Sequence, residues 1–453
     1  MHFRRRLGVP NPIHHFNLCT CLITNRAAIL AKLATTNLCR SRPTRYPTRA
    51  RAVVPQYRRS ELFRFQARAR AGARAILNAD IADFYPSVYT HSIPWAFHTK
   101  AVAKANRTRA LFGNVIDEPV RGAQDGQTMG VPIGPDTSFI IAESILADID
   151  TELVRRMPSI TGWRWIDEYE LTFASRASAD SALAEIQNTL LDYELRLNPR
   201  KTVAKDLPVE FQAEWVKELR AFRFRRSTTG QASDLIRYFD YMTEFVRTNP
   251  NEHIVKYALA RLRTFRPHPS NRDLFQSLIC QAVASEPAAI REGIECMHYA
   301  ESNHGLVFDG PLWSMTLNLI IEQNAPLGHE YEVVWCLWAC LTWTLQISRP
   351  AAEAISNIEN SIVAILALDA NAGGLFAAGG LDTTRWSRRM ATNELYEEEW
   401  LLAYEANVQG WLPSTGGGDH VAADPNFAHL KNSNVQFYIP TTIPILAGAL
   451  AYP

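Results

Sequence analysis

Asp80 ends the apolar segment Ala75-Ile76-Leu77-Asn78-Ala79, and Asp83, Phe84, Tyr85 and Pro86 follow it within six residues. This spacing predicts a short strand that delivers a carboxylate to its own end and then turns at once. A carboxylate at the end of a buried strand is costly unless a cation or solvent satisfies it. Cation binding is therefore the first chemistry that Asp80 suggests. Asp83, beyond the strand, suits a solvated turn or a backbone cap.

A second pair of carboxylates lies in Trp163-Arg164-Trp165-Ile166-Asp167-Glu168-Tyr169-Glu170-Leu171. Alternation with a period of two on both sides of a two-residue break predicts a β-hairpin, with its tip at Asp167-Glu168. Adjacent carboxylates repel, so such a tip either faces open solvent or binds a metal. Between the two clusters lies Gly130-Val131-Pro132-Ile133-Gly134-Pro135-Asp136-Thr137-Ser138, a glycine-proline loop that feeds an apolar helix. Such a loop is either a tight turn or a place where backbone approaches a nucleotide or template. Further on, Asn198-Pro199-Arg200-Lys201 turns out of an amphipathic helix, expected over Ser178 to Tyr193, into another extended piece. By itself Lys201 reads as a surface lysine.

The elements that must position these groups fall into three regions. Residues 1–79 carry 16 Lys/Arg and one acid, Glu61, while the remainder carries 31 Lys/Arg against 45 Asp/Glu, so a net charge of +1 is split into about +15 and −14. Such asymmetry marks either a face for polyanions or a solvated basic face without a ligand. One or two amphipathic helices are expected before residue 40, then an extended basic arm from 41 to 60, broken by prolines. Helix is expected again from Ser60 to Arg74, with Arg64, Arg68 and Arg70 on neighbouring turns. Residues 80–205 hold the motifs just described. From Asp206 to Pro453 the texture is helix after helix, for example Asp234 to Arg247, Ser270 to Ala284, Glu330 to Gln346 and Ser356 to Leu368. This pattern suits an irregular α-solenoid, HEAT-like, or a bundle. Pro413 to Asp419, PSTGGGD, reads as a flexible loop.

Several classes are disfavoured. The seven cysteines form no disulfide or zinc framework and read as reduced, mostly buried thiols of a cytoplasmic protein. MHFRRRLGVP lacks the apolar core of a signal peptide. The apolar run Ile439 to Ala451 is too short to span a membrane.

Taken together, Asp80-Ile-Ala-Asp-Phe-Tyr85, Gly130-Val-Pro-Ile-Gly134 with Ser138, Trp165-Ile-Asp167-Glu168 and Asn198-Pro-Arg-Lys201 resemble reverse-transcriptase motifs A to D in order and approximate spacing. The extension Phe84-Tyr-Pro-Ser-Val-Tyr-Thr-His-Ser-Ile-Pro-Trp95 is similar to one branch, the bacterial abortive-infection (Abi) and related defence-associated reverse transcriptases, and so is the long helical C-terminus. The resemblance covers roughly residues 40–205 strongly and the remainder loosely.

It implies an α+β fold: a basic fingers-like region (1–79), a palm (80–205) and an all-α solenoid-like domain (206–453). It further implies that Asp80 and Asp167 bind two Mg²⁺ ions, with Mn²⁺ as a substitute, around a dNTP triphosphate. Tyr85 matches the ring beneath the sugar that leaves no room for a 2′-hydroxyl. Lys201 matches a lysine that protonates or stabilises the leaving pyrophosphate. Gly134 belongs to the substrate-binding loop, and Arg51 and Arg68 are the candidates for triphosphate or strand contacts. Two positions depart from the family pattern. Glu168 stands where a second aspartate is usual, and Ile133 stands where a glutamine touches nucleotide and template, which an apolar side chain cannot do. The implied activity is antiviral DNA synthesis without a template, primed by a hydroxyl of the protein itself, with Tyr46 and Tyr57 in reach of candidacy, in a homo-oligomer. The alternatives are a reverse transcriptase copying an associated non-coding RNA, and a nucleic-acid-binding scaffold whose polymerase site has decayed.

Overall fold

Ala75, Ile76 and Leu77 have no exposed surface, and the strand they open is the centre of the first unit. In a computed structural model, residues 7–45, 51–377 and 379–440 are described. The chain divides into two units that meet in sequence at Phe211 and Gln212. The fold is mixed α+β, with a helical C-terminal part.

The first unit is built on a four-stranded antiparallel sheet in the order β4-β5-β3-β6. Here β3 is Ala75–Asp80, β4 is Thr161–Trp165, β5 is Glu168–Phe173 and β6 is Val203–Asp206. Two shorter strands, β1 (Pro43–Arg45) and β2 (Val53–Pro55), pair as a separate ribbon within the basic arm. Register fixes which side chains share a face. Asp80 lies opposite Glu168, Asn78 opposite Glu170, and Trp165 and Trp163 opposite the same two glutamates. Leu77, Ala79, Tyr169, Leu171 and Arg164 turn to the other face.

Helices cover both faces. They run α1 (Pro12–Thr24), α2 (Arg26–Leu33), α3 (Leu62–Arg70), α4 (Phe84–Ser87), α5 (Ser92–His98), α6 (Lys100–Ala105), α7 (Phe112–Gly122), α8 (Asp136–Arg156) and α9 (Arg176–Asp192). The longest, α8, buries Ile141, Ala142, Ile145, Leu146, Ile149 and Leu153, an i, i+3, i+4 stripe. It ends on Arg155 and Arg156, favourable to the helix dipole, just before Pro158. The main core joins this stripe to Leu77, Ala79, Tyr169 and Leu171 of the sheet and to Ile186 and Leu190 of α9. On the opposite face Leu62 of α3 packs with Trp163 and Trp165.

The second unit has twelve described α-helices, α10 (Glu214–Ala221) to α21 (Pro425–Asn432). The expected helix from Asp234 to Arg247 belongs to a longer α11, Thr228–Thr248. Expected Ser356 to Leu368 is displaced: one helix ends at Ile355 and the next runs Ser361–Ala372, because Asn360 caps the second through its side chain. Among the described residues no helix is long and apolar enough to cross a membrane. All seven cysteines are free thiols, five of them buried.

Candidate functional site

The sheet brings three distant stretches to the C-terminal end of β3. Asp80 is 5% exposed. Its Oδ2 accepts from the Lys201 ammonium at 2.9 Å, and its Oδ1 accepts from the Asn198 amide at 3.2 Å. Backbone fixes the same neighbours: Asn198 N–H donates to the Asp80 carbonyl, Ala82 N–H to that of Arg196, and Ile81 N–H to that of Asp167. Lys201 is thus more than a surface lysine, although its side chain is 56% exposed.

Glu168 sits directly across from Asp80, and like charges so placed destabilise a sheet. The opposing charge comes from Arg59, whose guanidinium reaches both Glu168 oxygens at 2.8 and 3.0 Å. The next glutamate on that face, Glu170, is 3% exposed and is gripped by Arg70 at 2.7 and 3.0 Å and by Gln66. Two arginines of the basic segment are therefore spent on the sheet's polar face.

The hairpin tip differs by one residue from expectation. The turn is Ile166-Asp167, and Glu168 already belongs to β5. Ile166 has φ +52°, a conformation that costs a β-branched residue energy and persists only when surroundings impose it. Ser41 Oγ accepts from Ile166 N–H at 2.8 Å, and Arg164 donates to its carbonyl at 2.9 Å. Arg164 itself has no exposed surface and is held by Asp150 and Glu143, both at 3.0 Å. Those two carboxylates lie seven residues apart, on one stripe of α8. Glu143 also accepts from Ser41 Oγ at 2.6 Å, and Asp150 accepts from Tyr169 at 3.0 Å. Burial alone would push the Arg164 guanidinium down; Asp150 and Glu143 hold it charged, well above its ordinary value. The tip carrying Asp167 rests on this buried cluster.

The stretch from Tyr85 to Trp95 also acquires a physical role. Val131 N–H donates to the Tyr85 carbonyl, Gly130 N–H to that of Val88, and Thr90 N–H to that of Thr128. The glycine-proline loop is thereby laid against the turn after β3. Gly130, at φ +88°, would bring a Cβ within 3.2 Å of the Pro86 carbonyl, so only glycine suits it. The Tyr85 ring is half-buried against the main core, edge-on to Phe84. Asp83 is exposed, with φ +42° and no side-chain capping bond, as a solvated turn residue.

Other expected site residues have different surroundings. Arg51 pairs with Asp136 at 2.7 Å and reaches the Gly134 carbonyl, tying the basic ribbon to the start of α8. Ile133 contributes its backbone carbonyl to Gly8 N–H at 3.0 Å. Gly134 is exposed at φ +123°. Arg68 is exposed, with no ion pair among the described residues. Tyr57 stacks edge-on to Phe65 and packs against the Leu62–Trp163–Trp165 cluster. Tyr46 lies outside the described residues. Sequence reasoning missed Arg59, Glu143, Asp150 and Arg164. The usable signal was two of the helix's five acids, Glu143 and Asp150, falling seven apart on its apolar stripe, and one arginine between two tryptophans.

By donor type Asp80 and Asp167 suit a hard cation such as Mg²⁺, which binds one or two carboxylates and completes its shell with water and phosphate. Among the described residues no group of three or more His, Cys, Asp or Glu gathers closely enough to hold an ion by itself. The chain matches no protein-family model and no curated protein.

Proposed function

We propose that the chain is a nucleotidyltransferase of the reverse-transcriptase type, polymerising dNTPs in antiviral defence. One observation carries this reading: Asp80, the Asp167-Glu168 pair and Lys201 come from three separate parts of the chain and meet at the end of one strand. Phosphoryl transfer needs charge neutralisation and positioning more than covalent help from the protein, and this end of the sheet offers both. Mg²⁺ bound to Asp80 and Asp167 would supply the charge that stabilises the entering and leaving oxygens. The Lys201 ammonium beside Asp80 supports a role toward the leaving pyrophosphate, and Arg59 can turn from Glu168 to a triphosphate oxygen. The half-buried Tyr85 ring supports a preference for deoxynucleotides. Ile133, apolar and fixed by its carbonyl, supports synthesis without a template over copying of a non-coding RNA.

The purified chain, incubated with labelled dNTPs and Mg²⁺ and no template, is expected to incorporate label. Asp80→Ala and Asp167→Ala should each reduce it by about a hundredfold or more. Equal, background-level incorporation by all three proteins would remove the enzyme reading and leave a nucleic-acid-binding scaffold. Product sequence separates the remaining readings, because a fixed copied sequence means a template.

A further inference from the structure

The helical unit holds a second arrangement with catalytic chemistry, at the PSTGGGD loop. Ser414 Oγ lies 2.7 Å from His420 Nδ1, and His420 Nε2 lies 2.9 Å from the Ala403 carbonyl. A carbonyl can only accept, so Nε2 carries the proton and Nδ1 presents its lone pair. Ser414 must then donate its hydroxyl hydrogen to Nδ1. The His420 backbone N–H also donates to Ser414 Oγ at 3.2 Å, which fixes the oxygen from a second direction. His420 is 6% exposed, and burial lowers its pKa, so the ring is the neutral base at pH 7.

Beside this pair the chain runs through Gly416, Gly417 and Gly418, all with φ between +80° and +86°. Each faces open space, and their amide N–H groups donate to no described residue. The loop is nevertheless anchored: Thr415 donates to the Met390 carbonyl through both N–H and hydroxyl, at 2.8 and 2.9 Å. The nearby Lys431 is engaged by Asp419 and Asn407, so the loop offers neutral donors and no free cation from that residue.

We propose that Ser414 is an activated nucleophile for acyl transfer from uncharged esters, with His420 as its general base and the glycine amides as oxyanion donors. The Ala403 carbonyl sets the tautomer, the part that a third group plays in nucleophile–base pairs generally. In the first step the Oγ–C bond forms, the hydroxyl proton passes to Nδ1 and the carbonyl electron pair moves onto oxygen. Collapse of that adduct breaks the ester C–O bond, and the departing alkoxide takes the proton from Nδ1. Water then attacks the acyl-serine in the same way, releasing a carboxylic acid and restoring Ser414. Backbone amides bind phosphate oxygens as well as carbonyl oxygens, and it is the engagement of Lys431 by Asp419 and Asn407 that favours an uncharged ester. None of this depends on the polymerase reading.

The test uses the full chain and an alkyl fluorophosphonate, which an activated serine displaces at phosphorus with loss of fluoride. Mass spectrometry is expected to find one adduct, mapped to Ser414, and none in Ser414→Ala. His420→Gln should slow adduct formation by about a hundredfold. No adduct at Ser414, or one formed equally fast in His420→Gln, overturns the proposal. If His420→Gln does not fold, hydrolysis of p-nitrophenyl acetate decides: the Ser414→Ala protein should lose it while still unfolding in one cooperative transition, and a rate equal to that of the wild type refutes the assignment.

Discussion

Lys201 lies across Asp80 with its ammonium 2.9 Å from Oδ2, so a divalent cation using this carboxylate has to compete with it. Lys201→Ala is therefore expected to act in two directions under the proposed function. The Mg²⁺ concentration for half-maximal binding should fall, read by titration, while dNTP incorporation drops about a hundredfold through loss of help to the leaving group. A merely structural lysine would move neither in this opposed way. Arg164 gives a prediction independent of activity. Replacing it by Met strands Glu143 and Asp150 in the interior, which costs about 3–5 kcal/mol in a urea unfolding curve. Neutralising both carboxylates in the same protein (Glu143→Gln, Asp150→Asn) should restore most of that loss, since the penalty belongs to unpaired charge.

At the scale of elements, α11 shows how one carboxylate closes a connection. Asp234 accepts from the backbone N–H of Arg225 at 2.8 Å and from its guanidinium at 2.7 and 2.9 Å, across the turn into the helix. The Arg225 hydrogen bonds hold the Asp234 carboxyl down at about 2, against the opposing effect of burial. A carboxyl depressed on folding contributes stability that is full above its unfolded value, about 4, and is lost as pH falls toward about 2. The difference in denaturation midpoint between the wild type and Asp234→Asn should therefore be largest above pH 4 and shrink between pH 4 and pH 2. Glu152, also held at about 2 by Arg155 and Arg156, titrates in the same window, but it is common to both proteins and cancels in that difference.

Elements with a clean period were legible in the sequence. β3 follows from a short continuous apolar run, the hairpin from alternation, and the apolar stripe of α8 from i, i+3, i+4 spacing. The turn at Ile166-Asp167 was not, because local propensity argues against a left-handed isoleucine. Its conformation is imposed by Ser41 and Arg164, one of them 125 residues away in the chain. Arg59 was hidden for the same reason. Nothing in its neighbourhood distinguishes it from Arg58 until β5 presents Glu168 to it. Lys201 became distinguishable only through the resemblance to motif D, and the geometry then gave it a carboxylate partner.

At the scale of the whole molecule, the charge split between residues 1–79 and the remainder raises the question of how much of that +15 is available to a polyanion. Several of the arginines are already committed: Arg51 to Asp136, Arg59 to Glu168 and Arg70 to Glu170. Arg64 and Arg68 are exposed on α3 and form no ion pair among the described residues. They remain free to neutralise phosphates, whereas the Arg70 side chain is only 10% exposed. Single-stranded DNA binding by the full chain should then weaken with salt, log K falling linearly against log salt with a slope of about −0.7 for each phosphate neutralised. Arg64→Ala and Arg68→Ala should each reduce that slope by about 0.7 and leave the melting temperature unchanged. Arg70→Ala should do the reverse, lowering the melting temperature because Glu170 is left buried without its cation, with little effect on the slope. An unchanged slope in the double variant Arg64→Ala/Arg68→Ala would mean that strands bind elsewhere, and that the basic segment is there to neutralise the sheet's own carboxylates.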